Sequence, residues 1–151
     1  MKIKKLAALA LAAVMTLSLA ACGASIEGEG DAASTEGGNG SIGLAVSTLS
    51  NPFFVTLADG AQKKADEAGV TLITVDAGDD AAKQVSDIED LISKKISVLI
   101  VNPVDSDAVT GAVEAAMAKG VRVIAVDRVV NGVTIDCQIA SDNILGAELA
   151  T

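Results

Sequence analysis

The stretch that decides the fold is residues 42–58, IGLAVSTLSNPFFVTLA, in which a short apolar run leads through a polar loop into a helical pattern. Ile42 to Val46 has the length and composition of a buried strand. Pro52 favours the first turn of a helix, and apolar residues then recur at helical spacing until Gly69, a helix-stop signal. The stretch therefore predicts a strand followed by a crossover helix.

The same alternation of apolar runs and helical patterns continues along the chain. Nearly continuous apolar strands separated by helices indicate an open parallel sheet that helices cover on both faces, in the α/β class. A fifth run follows the fourth through the turn region Asn131-Gly132 instead of a helix, so its place in the sheet stays open. The predicted strands are residues 42–46, 70–75, 96–101, 121–126 and 133–139.

The first 40 residues have a different character from the predicted domain. Lysines within residues 2–5 precede a long apolar run that ends in small residues, which is the layout of a secretory signal. Residues 19–22, LAAC, resemble a bacterial lipobox, in which the cysteine matching Cys22 is lipidated; an uncleaved anchor helix is the alternative. Residues 22–40 are rich in Gly, Ser and acids and predict a flexible tether. We therefore expect a lipoprotein signal at 1–21, a tether at 22–40 and a folded domain at 41–151.

Charge and composition exclude several function classes. The chain has 11 basic and 20 acidic residues, which argues against a nucleic-acid partner because such binding depends on clustered Lys and Arg. It has no His, the commonest general base and metal-binding imidazole, so we expect no enzyme activity, no metal and no cofactor. A dinucleotide-dependent enzyme would need Gly-x-Gly-x-x-Gly after the first strand, where this chain has STLSNPFF. Cys137 lies in an apolar run, which predicts a buried, inert thiol.

Polar residues and the two aromatic residues of the chain follow the predicted strands. Ligands of open α/β sheets bind beyond the carboxyl ends of the strands. Adjacent helical residues point about 100° apart, so Phe54 is expected on the buried stripe and Phe53 is freer. A ring beside amide, carboxylate and guanidinium groups suits a sugar, which has a polar rim and an apolar C–H face. The candidate residues are Asn51, Phe53, Phe54, Asn102, Asp127 and Arg128.

A structural role remains the alternative for two of these candidate groups. Asp127 and Arg128 could be a solvated loop, and Asn102 with Pro103 could form a turn. As a site, the adjacent charges of Asp127 and Arg128 are expected to compensate each other where a neutral ligand excludes water.

Four stretches in this order resemble the N-terminal lobe of ribose-type periplasmic sugar-binding proteins, which are substrate receptors of ABC importers with flavodoxin-like lobes. They are AVSTLSNPFFVTLADGAQKKADEAG (45–69), VLIVNPVDSDAV (98–109), VIAVDR (123–128) and IASDNILGAELA (139–150). The resemblance implies a monosaccharide ligand, with ribose first, an ABC permease partner and a lipid-anchored position outside the cytoplasmic membrane. It implies that the six candidate residues contact the sugar, and that Ser141 and Asp142 lie near the hinge to a second lobe.

The sequence departs from the resembling family in one respect. The second lobe that closes on the sugar follows the first in that family, so the chain is expected to be an incomplete first lobe that ends in the helix after strand five. Weak or absent sugar binding is then expected unless a second chain supplies the other face. A receptor for another sugar or a furanosyl signalling molecule, a non-binding remnant and a self-associating half-domain stay open. A transcriptional repressor of this fold would carry a DNA-binding headpiece where this chain has its export signal.

Overall fold

The protein is described here from a computed structural model, which describes residues 40–150. The predicted signal, Cys22 and nearly all of the predicted tether lie outside the described residues. Within residues 40–150, no helix is long and apolar enough to cross a membrane. The elements are β1 Ile42–Val46, α1 Pro52–Ala68, β2 Leu72–Asp76, α2 Ala81–Ser93, β3 Val98–Val101, α3 Thr110–Ala118, β4 Arg122–Val126, β5 Cys137–Ile139 and α4 Asn143–Leu149.

The five strands form one parallel sheet in the order β2-β1-β3-β4-β5. The chain moves outward from β1 to β2, returns to the other side of β1 with β3, and continues to β4 and β5. The carboxyl ends of β1 and β3 are therefore the topological switch point, where open α/β sheets hold their ligands. The predicted α/β class and parallel sheet are confirmed.

Helices cover both faces of the sheet, as predicted. On one face, α2 and α3 pack over a buried cluster that includes Ala45, Leu99 and Val123. Successive strand residues point to opposite faces, so Leu44 and Val46 of β1 point to the other face, where α1 packs. Gly43 lets α2 approach the sheet closely, because a Cβ there would lie 2.9 Å from the Leu91 Cδ1 and Ile96 Cδ1 atoms.

Capping residues set the bounds of the long helices. Asn51 is the N-cap of α1 and its Oδ1 accepts a hydrogen bond from Phe53 N at 2.9 Å, with Pro52 in the first turn. Gly69 ends α1 in the left-handed conformation, with φ of 67°. Asp80 caps α2 by accepting from Lys83 N at 3.0 Å.

The fifth strand corrects two predictions. It spans Cys137–Ile139 and not residues 133–139, because the Asp136 carboxylate accepts the hydrogen bond of Val123 N at 2.8 Å and takes the place of a ladder carbonyl. The prediction that Cys137 is buried is also wrong. β5 is an edge strand whose three residues are all exposed, and the Cys137 thiol is free and exposed.

Candidate functional site

A cleft of about 190 Å³ lies at the carboxyl ends of β4 and β5, beside the start of α1. It brings together residues from three separate parts of the chain, including the predicted Phe53, Asp127 and Ser141. Asp142, the other predicted hinge residue, caps α4 by accepting from Leu145 N at 2.9 Å. The residues that line the cleft are Phe53, Val126, Asp127, Ile139, Ala140 and Ser141.

The two aromatic rings have different environments. Phe54 is 5% exposed and packs into the core, whereas Phe53 is 57% exposed and faces the cleft. Their ring centroids are 5.2 Å apart with an interplanar angle of 77°, an edge-to-face pair. The predicted division between a core ring and a freer ring is confirmed, and Phe54 supports one side of Phe53.

Asn102 is a buried connector between three strands. Its Oδ1 accepts a hydrogen bond from Ser47 N at 3.3 Å, and its Nδ2 donates to Val126 O at 3.0 Å. Nδ2 also lies 3.4 Å from Asp127 Oδ2. Asn102 is 1% exposed, so these bonds are shielded from solvent. Its amide joins the ends of β1, β3 and β4 at the switch point.

Asp127 occupies an unusual backbone conformation at the end of β4. Its φ is 66°, in the left-handed region that costs energy for residues other than glycine. Its backbone N donates to Ile139 O at 2.8 Å, which joins β4 to β5 beside the cleft. Strained residues of this kind cluster at functional sites, and the cleft lining includes Asp127.

Arg128 is held by backbone carbonyl groups. Its Nη1 donates to Pro103 O at 2.9 Å and to Val104 O at 3.1 Å. These bonds direct the guanidinium toward the loop after β3. A guanidinium has five N–H donors, and the two carbonyls engage one of its nitrogens.

Comparison with known proteins places the chain in a family. Residues 42–151 match the periplasmic binding protein domain. The chain belongs to the periplasmic binding protein family. The predicted resemblance is thereby confirmed at the level of the family.

The relatives of this periplasmic binding protein domain include ribose import proteins. It is 44% identical over 147 residues to ribose import binding protein RbsB of Bacillus subtilis, covering 93% of this chain and 48% of that protein. It is 50% identical over 109 residues to RbsB of Haemophilus influenzae, covering 72% of this chain and 37% of that protein. The chain thus spans about half, or less, of the length of these curated relatives, which are binding proteins and not enzymes.

Solved structures agree with this assignment. The crystal structure of Caulobacter myo-inositol binding protein, bound to myo-inositol, matches with a TM-score of 0.69 and 32% identity. The match covers 76% of this chain and 39% of that protein.

Three further polar residues support the candidate site of this periplasmic binding protein domain, and of these Gln84 escaped the sequence analysis. Gln84 is fully buried and bonds the loop after β3. Asp76 Oδ1 accepts from Leu49 N at 3.1 Å and from Gly78 N at 2.9 Å, which holds the loop after β1. Ser47 Oγ is buried and has no hydrogen-bond partner within residues 40–150. The sequence could have predicted that Gln84 is buried, since it stands one turn before Ile88 on the apolar stripe of α2.

A larger cavity, of about 510 Å³, lies at the amino ends of the strands, on the side of the sheet opposite the cleft. Its lining comes from the ends of α2 and α3 and the starts of the segments that lead into β3 and β4. That side of the sheet lies away from the switch point. In the part of the chain that the structure describes, no group of three or more Cys, Asp or Glu is arranged to hold a metal ion.

Proposed function

We propose that this lobe binds a monosaccharide, with D-ribose as the first candidate, as the substrate-binding component of an ABC importer. The observation that carries the proposal is the exposed Phe53 ring beside the Asp127 carboxylate in one cleft. A sugar presents hydroxyl groups at its rim and C–H groups on its faces. The ring and the carboxylate can therefore contact the same sugar at the same time.

Each predicted site residue has a part in this proposal. Phe53 packs against the C–H face of the sugar, with Phe54 behind it. Asp127 accepts hydrogen bonds from hydroxyl groups, and Arg128 donates to them from the nitrogens that the loop carbonyls do not engage. Asn51 donates from Nδ2 while its Oδ1 caps α1.

Asn102 is proposed to serve the sugar site as a support, because at 1% exposure its amide offers no surface to a ligand. Its Oδ1 accepts from Ser47 N, and its Nδ2 lies 3.4 Å from Asp127 Oδ2. Asn102 therefore holds the Asp127 carboxylate, which contacts the sugar.

The names of the relatives support ribose as the first ligand to test. The proteins of Bacillus subtilis and Haemophilus influenzae are ribose import binding proteins. The Caulobacter protein holds myo-inositol. Myo-inositol has a six-membered ring with hydroxyl groups around its rim, as the pyranose form of ribose does. Another sugar, or a furanosyl signalling molecule, is the alternative ligand.

The proposed location follows from the family and from the N-terminal sequence. Residues 1–21 act as the export signal, Cys22 carries the lipid, and residues 22–40 tether the lobe outside the cytoplasmic membrane. More than one acyl chain is needed for stable anchoring. Ser141 and Asp142 lead toward a second lobe, and an ABC permease receives the sugar.

Calorimetric titration of D-ribose into the full chain tests the proposal, with D-glucose and myo-inositol titrated in parallel. Phe53→Ala and Arg128→Ala are each expected to lower the affinity about tenfold or more, because each removes a direct contact. Val129→Ala is the matched control, since Val129 is 50% exposed beside the cleft without lining it. Equal affinity in all four proteins, or no ribose heat from the folded parent chain, would refute the proposal.

Self-association is a second candidate function, and one observation favours it. The edge strand β5 is exposed, and α4 beside it exposes Ile144 at 76% and Leu149 at 79%. Unpaired strand edges with apolar neighbours favour pairing with another chain. The mass of the chain in solution, measured on the titrated sample, distinguishes a monomer from a dimer.

A further inference from the structure

Gln84 makes two hydrogen bonds to the segment that carries Asn102. Its side chain is fully buried on α2. Nε2 donates to Asn102 O at 2.9 Å, and Oε1 accepts from Val104 N at 2.7 Å. Rotating the Gln84 amide by 180° would place its NH₂ group against the N–H of Val104 and its oxygen against the carbonyl oxygen of Asn102. The amide therefore has one satisfied orientation, and it holds the backbone of residues 102–104 at both ends.

The same segment is held from its other side by Arg128, through Pro103 O and Val104 O. Residues 102–104 follow β3 and belong to no helix or strand. Asn102 N donates to Ala45 O at 2.9 Å, so the backbone holds the start of the segment, and the side chains of Gln84 and Arg128 hold the rest. Gln84 holds the 102–104 segment from its buried side.

We propose that Gln84 is a positioning residue of the sugar site, which acts by fixing the direction of the Asn102 side chain. This inference rests on the proposed function. With the backbone of residue 102 fixed, the Asn102 amide reaches Ser47 N, Val126 O and Asp127 Oδ2 together. Losing the Gln84 amide would leave Asn102 O without its donor and Val104 N without its acceptor. The backbone after Asn102 N could then shift and turn the Asn102 amide away from the Asp127 carboxylate.

The chemistry of the Gln84 bonds explains why an amide is needed there. A buried backbone carbonyl needs a donor and a buried N–H needs an acceptor. One glutamine supplies both from a single planar group. A methionine of similar length fills the space and supplies neither, and a glutamate anion supplies the acceptor alone.

The test compares Gln84→Met with Val85→Ala in the full chain. Val85 is the next residue of α2 and packs against the core cluster, so its truncation perturbs the same helix without removing a side-chain hydrogen bond to the 102–104 segment. Two quantities are measured for each folded variant: the NMR signals of the Asn102 side-chain NH₂ group without sugar, and the affinity for D-ribose.

Gln84→Met is expected to shift the Asn102 NH₂ signals and to lower ribose affinity about tenfold, whereas Val85→Ala leaves the signals in place and changes affinity less than about twofold. Unmoved Asn102 signals in Gln84→Met would overturn the inference whatever the ribose result. Shifted signals with affinity equal to that of Val85→Ala would also overturn it.

A failure of the proposed function gives a different result. If Gln84→Met shifts the Asn102 signals but the parent chain binds no ribose, the sugar site is refuted while the control of Asn102 by Gln84 is upheld. If Gln84→Met does not fold, Gln84→Glu is measured by the same two criteria, because it keeps the acceptor for Val104 N and loses the donor to Asn102 O.

Discussion

Asn102 and Ser47 are both buried polar residues at the switch point, but their side chains differ in hydrogen bonding. Removing the Asn102 amide leaves Ser47 N without its partner, whereas Val126 O loses one donor and keeps the hydrogen bond from Arg128 N. An unsatisfied buried group costs about 1–3 kcal/mol. We expect Asn102→Ala to lower the free energy of unfolding by about that amount, which urea denaturation measures.

Ser47→Ala is the matched comparison for Asn102→Ala. The Ser47 hydroxyl is buried without a partner, so its removal takes away a desolvated polar group and no hydrogen bond. The free energy of unfolding should stay the same or rise. A loss equal to that of Asn102→Ala would contradict the hydrogen-bond assignment at the switch point.

Substitutions of Asp127 should change stability and sugar affinity in different ways. Its left-handed φ of 66° suits glycine better than residues with a Cβ. Asp127→Gly and Asp127→Ala both remove the carboxylate, so both should lose sugar affinity equally. The glycine variant should be more stable than the alanine variant by about 1 kcal/mol. Equal stability in thermal melts would mean that the backbone carries no strain there.

The sequence placed Asn102, Asp127 and Arg128 at strand ends but could not show their partners. The hydrogen bonds of Asn102 cross 24 to 55 residues of chain, and no local pattern encodes such separations. The Arg128 guanidinium likewise binds carbonyl groups 24 and 25 residues away.

Between elements, two glycines should respond in opposite ways to alanine. A Cβ at Gly43 would meet two buried side chains, Leu91 of α2 and Ile96, so Gly43→Ala should cost about 1–3 kcal/mol by overpacking. Gly60 lies within α1 with nothing near its Cβ position, so Gly60→Ala should add about 0.5–1 kcal/mol through helix propensity. Urea denaturation of both variants tests this, and two changes of the same sign would contradict the packing of α2 on β1.

The turn before α3 should weaken in acid. Hydrogen bonds from Ala108 N and Asp107 N hold the pKa of the Asp105 carboxyl below its ordinary value. A lowered pKa means that the stabilisation is present above the ordinary value, about pH 4, and is lost as the pH falls through the folded value. The effect is small because the group is exposed.

Asp105→Asn measures this contribution. The variant should be slightly less stable than the parent chain at pH 7, and the difference should shrink at pH 3, where the parent carboxyl gains a proton. A gap of the same size at both pH values in urea denaturation would show that the carboxylate does not support the turn.

Element type was predictable where the pattern was long. The helix from Pro52 to Gly69 carried a proline start and a glycine stop, and the structure has both. The fifth strand was predicted too long because residues 133–136 are as apolar and β-branched as a strand. Asp136 ends the pairing with a side-chain bond to Val123 N, which depends on tertiary placement and not on local sequence.

At the scale of the whole molecule, the reversal of strand order at β1 creates the site. It sets the loop after β1 beside the loop after β3, while β4 and β5 supply the cleft. The alternation of strands and helices was sufficient to predict a candidate site at the carboxyl ends of the strands. It could not predict that the cleft lies at β4 and β5, because the place of β5 was open in the sequence.

The most direct test of the sugar site is an NMR titration of the full chain with D-ribose that follows the backbone amides. The proposed site predicts saturable shifts at Phe53, Asp127 and Ser141, with residues at the amino ends of the strands unmoved. Saturable shifts centred on Lys95 and Lys119, which line the larger cavity at those amino ends, would contradict the proposed site. So would a spectrum that ribose leaves unchanged.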